Sequence, residues 1–421
     1  MKNITDYTND YPRWDKSMKN THKILSPDML NWHFLIIQEV LRLEGFDVEV
    51  LKNDSRAVID EGLKHVHNDT CYPCLCVVGQ YIDALKSGKY DLEHTALLIT
   101  QTGGGCRASN YMPLIKKAIA TEFPSVPVVS VNISGLEKDS SLDMPLKRII
   151  KLLYSVFYGD SVMWCYNQTK PYEVEKGATD KVRDEVVQYV VEQFKNGKYK
   201  KYKKINEKII KSFAAVKRSN EKKVKVGVVG EIYVKYSQLG NNGLEQFLLS
   251  ENCEPVIPAL IDFALYCIIN TVNDRRLYGH SAFKAFVYKL VYNHLHKIQL
   301  NIIEQFKKDG TFTPLHDFEH LRHCGDKVLN QGVKMGEGWL IPAEMAAFAE
   351  TGVQNIVCTQ PFGCLPNHRA GKGAIRTLKN MYRDENIVAV DYDPSATKVN
   401  QENRIKLMLA TARENLGQTK N

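Results

Sequence analysis

A chain of 421 residues is long enough for two or three domains with substantial cores. Its apolar share of 44% and charged share of 25% are ordinary for a globular protein and exclude a disordered or fibrous chain. The net charge of +8 is local: segment 195–225 carries thirteen Lys or Arg against Glu207 and Glu221, and the rest of the chain is slightly acidic. Within that segment Ile205, Ile209, Ile210, Phe213 and Val216 recur at helical spacing, which predicts a solvated amphipathic helix joining two domains. Docking to an acidic partner protein is the second reading. No nucleic-acid motif accompanies the charge, so no nucleic acid is expected as a partner.

The amino terminus is polar and lacks an apolar signal core, and the longest apolar run, Leu260 to Ile269, falls short of the ~18 residues a membrane span needs. A cytoplasmic chain with no membrane partner is expected. Ten cysteines in a reducing compartment are then free thiols or metal ligands rather than disulfides.

In chain order, residues 1–28 read as an irregular N-terminal arm. A helical pattern runs from Leu30 to Leu43, Gly45 stops it, and Phe46 to Val50 alternates as a strand. Ser55 opens a helix to His65, and another follows Cys71, with Pro73 suited to its first turn. Leu97 to Thr100 and Val126 to Val131 read as strands, separated by a tight loop at Gly103 to Gly105 and a helix from Tyr111 to Phe123. Leu146 to Lys211 is mostly helical, with a break at Lys170-Pro171. A second alternating unit begins with the strand Val224 to Val229. Helices then start at Asn242, Pro258 and Ser281, the last reaching about Phe306. Met335 to Trp339 leads a helix to Glu350, a strand ends at Cys358, a helix runs to Arg383, a strand spans Ile387 to Val390, and a helix closes the chain from Ala396. The fold class this predicts is α/β: two Rossmann-like parallel-sheet domains, a helical connecting segment, and a cysteine-lined cleft between them. The boundaries are 29–165 for the first domain, 166–222 for the basic helical connector and 223–421 for the second domain.

In an open parallel sheet the ligand site lies outside the carboxyl ends of the strands. The pattern places Cys106 and Cys358 there, Cys364 in the loop after Cys358, and Cys71 just before a helix. Helix amino ends favour anionic thiolates, and Gly103, Gly104, Gly105 and Gly363 let backbone amides approach a cluster closely. Cys71, Cys106, Cys358 and Cys364 are therefore expected to meet and hold an iron-sulfur cluster: four thiols close a four-iron cube, and three leave one iron open to a substrate. Zinc is the competing metal, although structural zinc prefers closer pairs than Cys358 and Cys364. Cys74, Cys76 and Cys324 are further possible ligands. Glu337 and His368 are candidate catalytic residues, each with a local alternative as a helix cap or helix-entry residue. Asp391 and Asp393, before Pro394, read as capping residues. Neither a phosphate loop nor a dinucleotide fingerprint is present.

The strings Asn68-Asp69-Thr70-Cys71-Tyr72-Pro73, Thr100-Gln101-Thr102-Gly103-Gly104-Gly105-Cys106-Arg107, Gly336-Glu337-Gly338-Trp339 and Cys358-Thr359-Gln360-Pro361-Phe362-Gly363-Cys364-Leu365-Pro366-Asn367-His368 resemble, in order, the 2-hydroxyacyl-CoA dehydratase component superfamily. Within it the chain is most similar to the dehydratase-like part of large predicted activase proteins, with double-cubane cluster proteins as more distant relatives. The resemblance implies a cytoplasmic protein of anaerobes with a 4Fe-4S cluster between Rossmann-like domains. It implies a separate ATP-hydrolysing activator of the actin and sugar-kinase type that supplies a low-potential electron, and either a homodimer or a related dehydratase-like subunit. The activity implied is reduction or radical dehydration of a small substrate at the cluster. By motif, Cys71, Cys106, Cys358 and Cys364 are the implied ligands. Cys74 and Cys76 depart from the family pattern and raise the loop thiols to six, enough for an 8Fe-9S double cubane. The alternative reading is a non-enzymatic iron-sulfur electron carrier or scaffold, with every iron closed by a thiolate.

Overall fold

The computed structural model describes residues 11–67, 69–101, 103–132 and 140–418. Asn68 and Thr102 of the strings above, and residues 1–10 of the arm, lie outside the described residues.

Two four-stranded, all-parallel sheets organise the chain. The first contains β1 (Lys23–Ser26), β2 (Asp47–Val50), β3 (Thr95–Gln101) and β4 (Val128–Asn132) in the order β2-β1-β3-β4. The second contains β5 (Lys225–Gly230), β6 (Glu254–Val256), β7 (Asn355–Pro361) and β8 (Asn386–Tyr392) in the order β6-β5-β7-β8. Both units thus wind outward from their first strand, first to one side and then to the other. In such a sheet the crevice opens where the winding reverses, at the carboxyl ends of β1 and β3 in one unit and of β5 and β7 in the other.

Two short strands depart from the sequence reading. β1 lies inside the segment read as an irregular arm, and its Ile24 and Leu25 are fully buried at the centre of the first sheet. β6 contains Pro255, which a central strand would not tolerate, and it sits at the sheet edge.

The connector is not a free linker. Helix Leu146–Asn167 packs beneath helices Ala178–Lys195 and Tyr202–Ala214, and the last of these buries Ile205, Ile209, Ile210 and Phe213. Its buried Asn206 donates to Gln305 at 3.0 Å on helix Ala282–Asp309, so this helix of the basic segment is docked along its apolar face with its own lysines turned outward. Asp160, in the middle of helix Leu146–Asn167, ties three elements together. It accepts the amides of Leu260 and Ile261 at 2.6 and 3.0 Å, capping helix Leu260–Tyr278, and bonds His33 Nε2 at 2.8 Å. The two units also share one apolar cluster, which includes Leu25, Val58 and Leu97 from the first and Val226, Val357 and Val390 from the second. No helix among the described residues is long and apolar enough to cross a membrane.

Candidate functional site at the carboxyl ends of the strands

The site begins with a glycine. β5 ends at Gly230, whose φ of +137° is costly for any residue with a side chain, and an added Cβ would stand 2.2 Å from the carbonyl oxygen of Thr359 on β7. This turn presents Glu231 at the carboxyl edge. Its carboxylate accepts the amide of Val234 at 2.9 Å, capping the short helix Ile232–Tyr236. Glu337, on the loop before helix Leu340–Glu350, accepts the amide of Ile232 at 3.0 Å, and that loop is braced by Tyr266, whose hydroxyl donates to Gly336 O at 2.8 Å. Two carboxyl groups from distant parts of the chain are therefore neighbours. Burial raises the pKa of both, and the negative charge of Glu337 raises Glu231 further, to about 8. Lys235 pulls in the opposite direction but is itself held by Glu344, at 2.8 Å in a buried ion pair.

Three thiols lie near these carboxyls. Cys71 directly precedes helix Tyr72–Lys86, and its Sγ lies 3.0 Å from the Tyr111 hydroxyl. The next amide, that of Tyr72, donates to Phe362 O at 3.0 Å and joins the Cys71 turn to the loop carrying Cys364. Gly363 makes that approach possible: its φ is +71°, and a Cβ there would sit 3.1 Å from Cys71 Cα. Cys106 precedes the turn Arg107–Asn110, and a Cβ on Gly336 would be 3.7 Å from the Cys106 Cβ. The charge of Glu231 reaches Cys71, Cys106 and Cys364, and that of Glu337 reaches Cys106 and Cys364. The expectation that helix amino ends would lower the thiol pKa values is reversed. Burial raises all three, Cys71 to about 11, and the neighbouring carboxylates add to the effect.

The fourth expected ligand is elsewhere. β7 does not end at Cys358 but continues to Pro361, so Cys358 is a mid-strand residue paired with Val229 and Ala389. Side chains alternate along a strand, and Cys358 packs with Ile356 in one apolar cluster while Val357 packs in the other. Its sulfur faces Asn367 Oδ1 at 3.6 Å, and it is fully buried. Cys74 and Cys76 lie within helix Tyr72–Lys86, fully buried in apolar packing behind Cys71, although the charge of Cys71 reaches both. Cys324 faces His320 and Glu350 instead of the three thiols. His368 is exposed and binds the Cys364 carbonyl through Nδ1 at 2.8 Å, the local alternative at helix entry. Asp393 caps the turn after β8 by accepting the amides of Ser395 and Ala396 at 2.7 and 2.9 Å, as expected of it.

Glu231 is the functional candidate that sequence reasoning passed over. The signal was its position immediately after the strand Val224 to Val229, where an open sheet places its ligand-binding loops. No family model matches this chain, and no curated protein matches it.

Proposed function

We propose that this protein holds an iron-sulfur cluster through Cys71, Cys106 and Cys364 and uses it to reduce or dehydrate a small substrate, with low-potential electrons delivered by a separate ATP-hydrolysing activator. The observation that carries the reading is that the three loops bearing these thiols meet: the Tyr72 amide donates to Phe362 O at 3.0 Å, and a Cβ on Gly336 would stand 2.7 Å from Pro366 Cγ and 3.7 Å from the Cys106 Cβ. Mutually close ligand atoms suit a single ion. Among the described residues, the thiols do not form such a tight group, and a cluster needs ligands spread around a body of several atoms. The donor set fits: three sulfurs, two of them buried, with polar neighbours in Tyr111 and the loop amides.

A bound cluster with three protein thiolates supplies electron transfer and one iron open to a substrate oxygen. The protein's own residues supply the rest. Glu231, with its pKa near 8, holds a proton at neutral pH and is the donor for a departing hydroxyl. Glu337 keeps that carboxyl neutral by its charge and fixes the Ile232 amide beside it. Tyr111 orients the Cys71 sulfur. Cys74 and Cys76 lie inside helix Tyr72–Lys86 rather than on a loop, which favours a single 4Fe-4S cluster over the double cubane. The cysteine-lined cleft between Rossmann-like domains, the resemblance to the dehydratase component superfamily, a cytoplasmic setting in an anaerobe, and a homodimer or related partner subunit belong to the same proposal.

Iron and sulfide content per chain, measured on protein purified without oxygen, tests it. About four irons are expected, with loss in Cys106→Ser and Cys364→Ser. Zinc in place of iron, or full iron in both variants, sinks the reading. If iron is present but no iron accepts an added ligand such as cyanide, the electron-carrier or scaffold alternative, with every iron closed by a thiolate, replaces the enzyme.

A further inference from the structure

We propose a second metal site, for one zinc ion, formed by His320, Cys324 and Glu350 and independent of the three thiols above. His320 and Cys324 are four residues apart on helix Phe318–Val328 and so share one face. Glu350 ends helix Leu340–Glu350 and faces them. Cys324 Sγ lies 3.6 Å from His320 Nε2 and 3.5 Å from Glu350 Oε2, and those two atoms are 3.9 Å apart. Zinc bonds of ~2.0–2.3 Å in a tetrahedral arrangement separate neighbouring ligand atoms by ~3.3–3.8 Å. The three donors thus already trace one face of that tetrahedron to within a few tenths of an ångström.

The two oxygens of Glu350 have separate tasks. Oε1 accepts from Lys327 Nζ and from the Tyr382 hydroxyl, each at 2.6 Å, while Oε2 is the one turned toward Cys324 and His320. A carboxylate held this way on its outer oxygen is what a ligand needs for fixed orientation. A mixed sulfur, nitrogen and oxygen set of this kind suits zinc, and a thiol disfavours magnesium and calcium. Cys324 is fully buried, whereas His320 is partly exposed and lines a cavity of about 300 Å³ that also borders His316 and Thr351. The ion would pin helix Phe318–Val328 to the end of the helix that leads into β7.

The test uses the full chain, freed of metal by a chelator and titrated with cobalt(II) as a spectroscopic stand-in and then with zinc. Cys364→Ser is included so that the three-thiol site cannot supply the signal. A thiolate-to-cobalt band and one tightly held zinc are expected in the wild type and in Cys364→Ser. Both are expected to be lost, with at least ~100-fold weaker zinc binding, when Cys324→Ser or His320→Ala is added to Cys364→Ser; the partly exposed His320 side chain can be removed without disturbing the core. Tyr382→Phe, which touches only the outer oxygen, is expected to weaken binding ~10-fold. Retention of zinc in both ligand variants, or absence of the cobalt band from Cys364→Ser while that chain keeps its wild-type circular dichroism, overturns the proposal.

Discussion

Glu337 accepts the amide of Ile232, the residue that follows Glu231, and this single 3.0 Å bond holds two buried carboxyl groups side by side. Like charges cannot both persist there, so the pair retains a proton at neutral pH.

The retained proton makes stability depend on pH in the metal-free chain. Glu231 binds its proton more tightly when folded, with a pKa of about 8 against an ordinary 4.5. The stability it contributes is therefore complete below about 4.5 and is lost as pH rises to about 8. At ~1.4 kcal/mol per pH unit of difference, the loss is on the order of a few kcal/mol. Glu231→Gln, which stays neutral, should flatten the dependence. Urea midpoints at the two ends of this range check it, and equal slopes in wild type and variant count against the carboxyl pair.

Cys358 and Cys364 should behave differently despite standing six residues apart. Cys358→Ser should keep its iron and cost about 1–3 kcal/mol, because it places a hydroxyl in apolar packing. Cys364→Ser should lose iron with a smaller loss of stability. Iron content and a denaturation curve on each variant separate the two. Iron loss in Cys358→Ser would restore the four-ligand expectation.

Gly230→Ala should destabilise the chain by roughly 3 kcal/mol or more, since it combines a left-handed backbone with a 2.2 Å approach to Thr359 O. Displacement of Glu231 should accompany it. Gly352, also at positive φ but in open space, provides the comparison: Gly352→Ala should cost only ~1 kcal/mol. Comparable losses at both positions would leave the close approach without consequence.

Asp160→Ala should cost on the order of 3 kcal/mol or more, because two amides and the His33 ring lose their shared acceptor. Thermal unfolding measures it. Asp160→Asn retains one acceptor oxygen and should recover part of the loss.

The repeating alternation of strand and helix was legible, and so was the placement of Cys71 and Cys106 before helical turns and of Cys364 on the loop after β7. What was not legible has physical causes. β1 is four residues long, and Lys23 and Ser26 flank only two apolar residues, too few for a period to show. The end of β7 was placed three residues early because Thr359 and Gln360 look polar, yet both are fully buried. That displacement, together with strand alternation, turned Cys358 from a loop ligand into a core residue. Helix Phe318–Val328 was missed as an element, and with it the placement of His320 and Cys324 on one face. Glu231 was in plain view at a strand end, but only tertiary structure brings Glu337 beside it.

The bond from the Tyr72 amide to Phe362 O has one more consequence. It is a main-chain contact between the two halves, made one residue from Cys71 and two from Cys364, so no substitution short of proline at Tyr72 removes its donor. Separation of the two halves at these loops breaks it. The Tyr72 amide is thus a built-in gauge: its rate of exchange with deuterium would report how often the two loops part and open the three thiols to solvent.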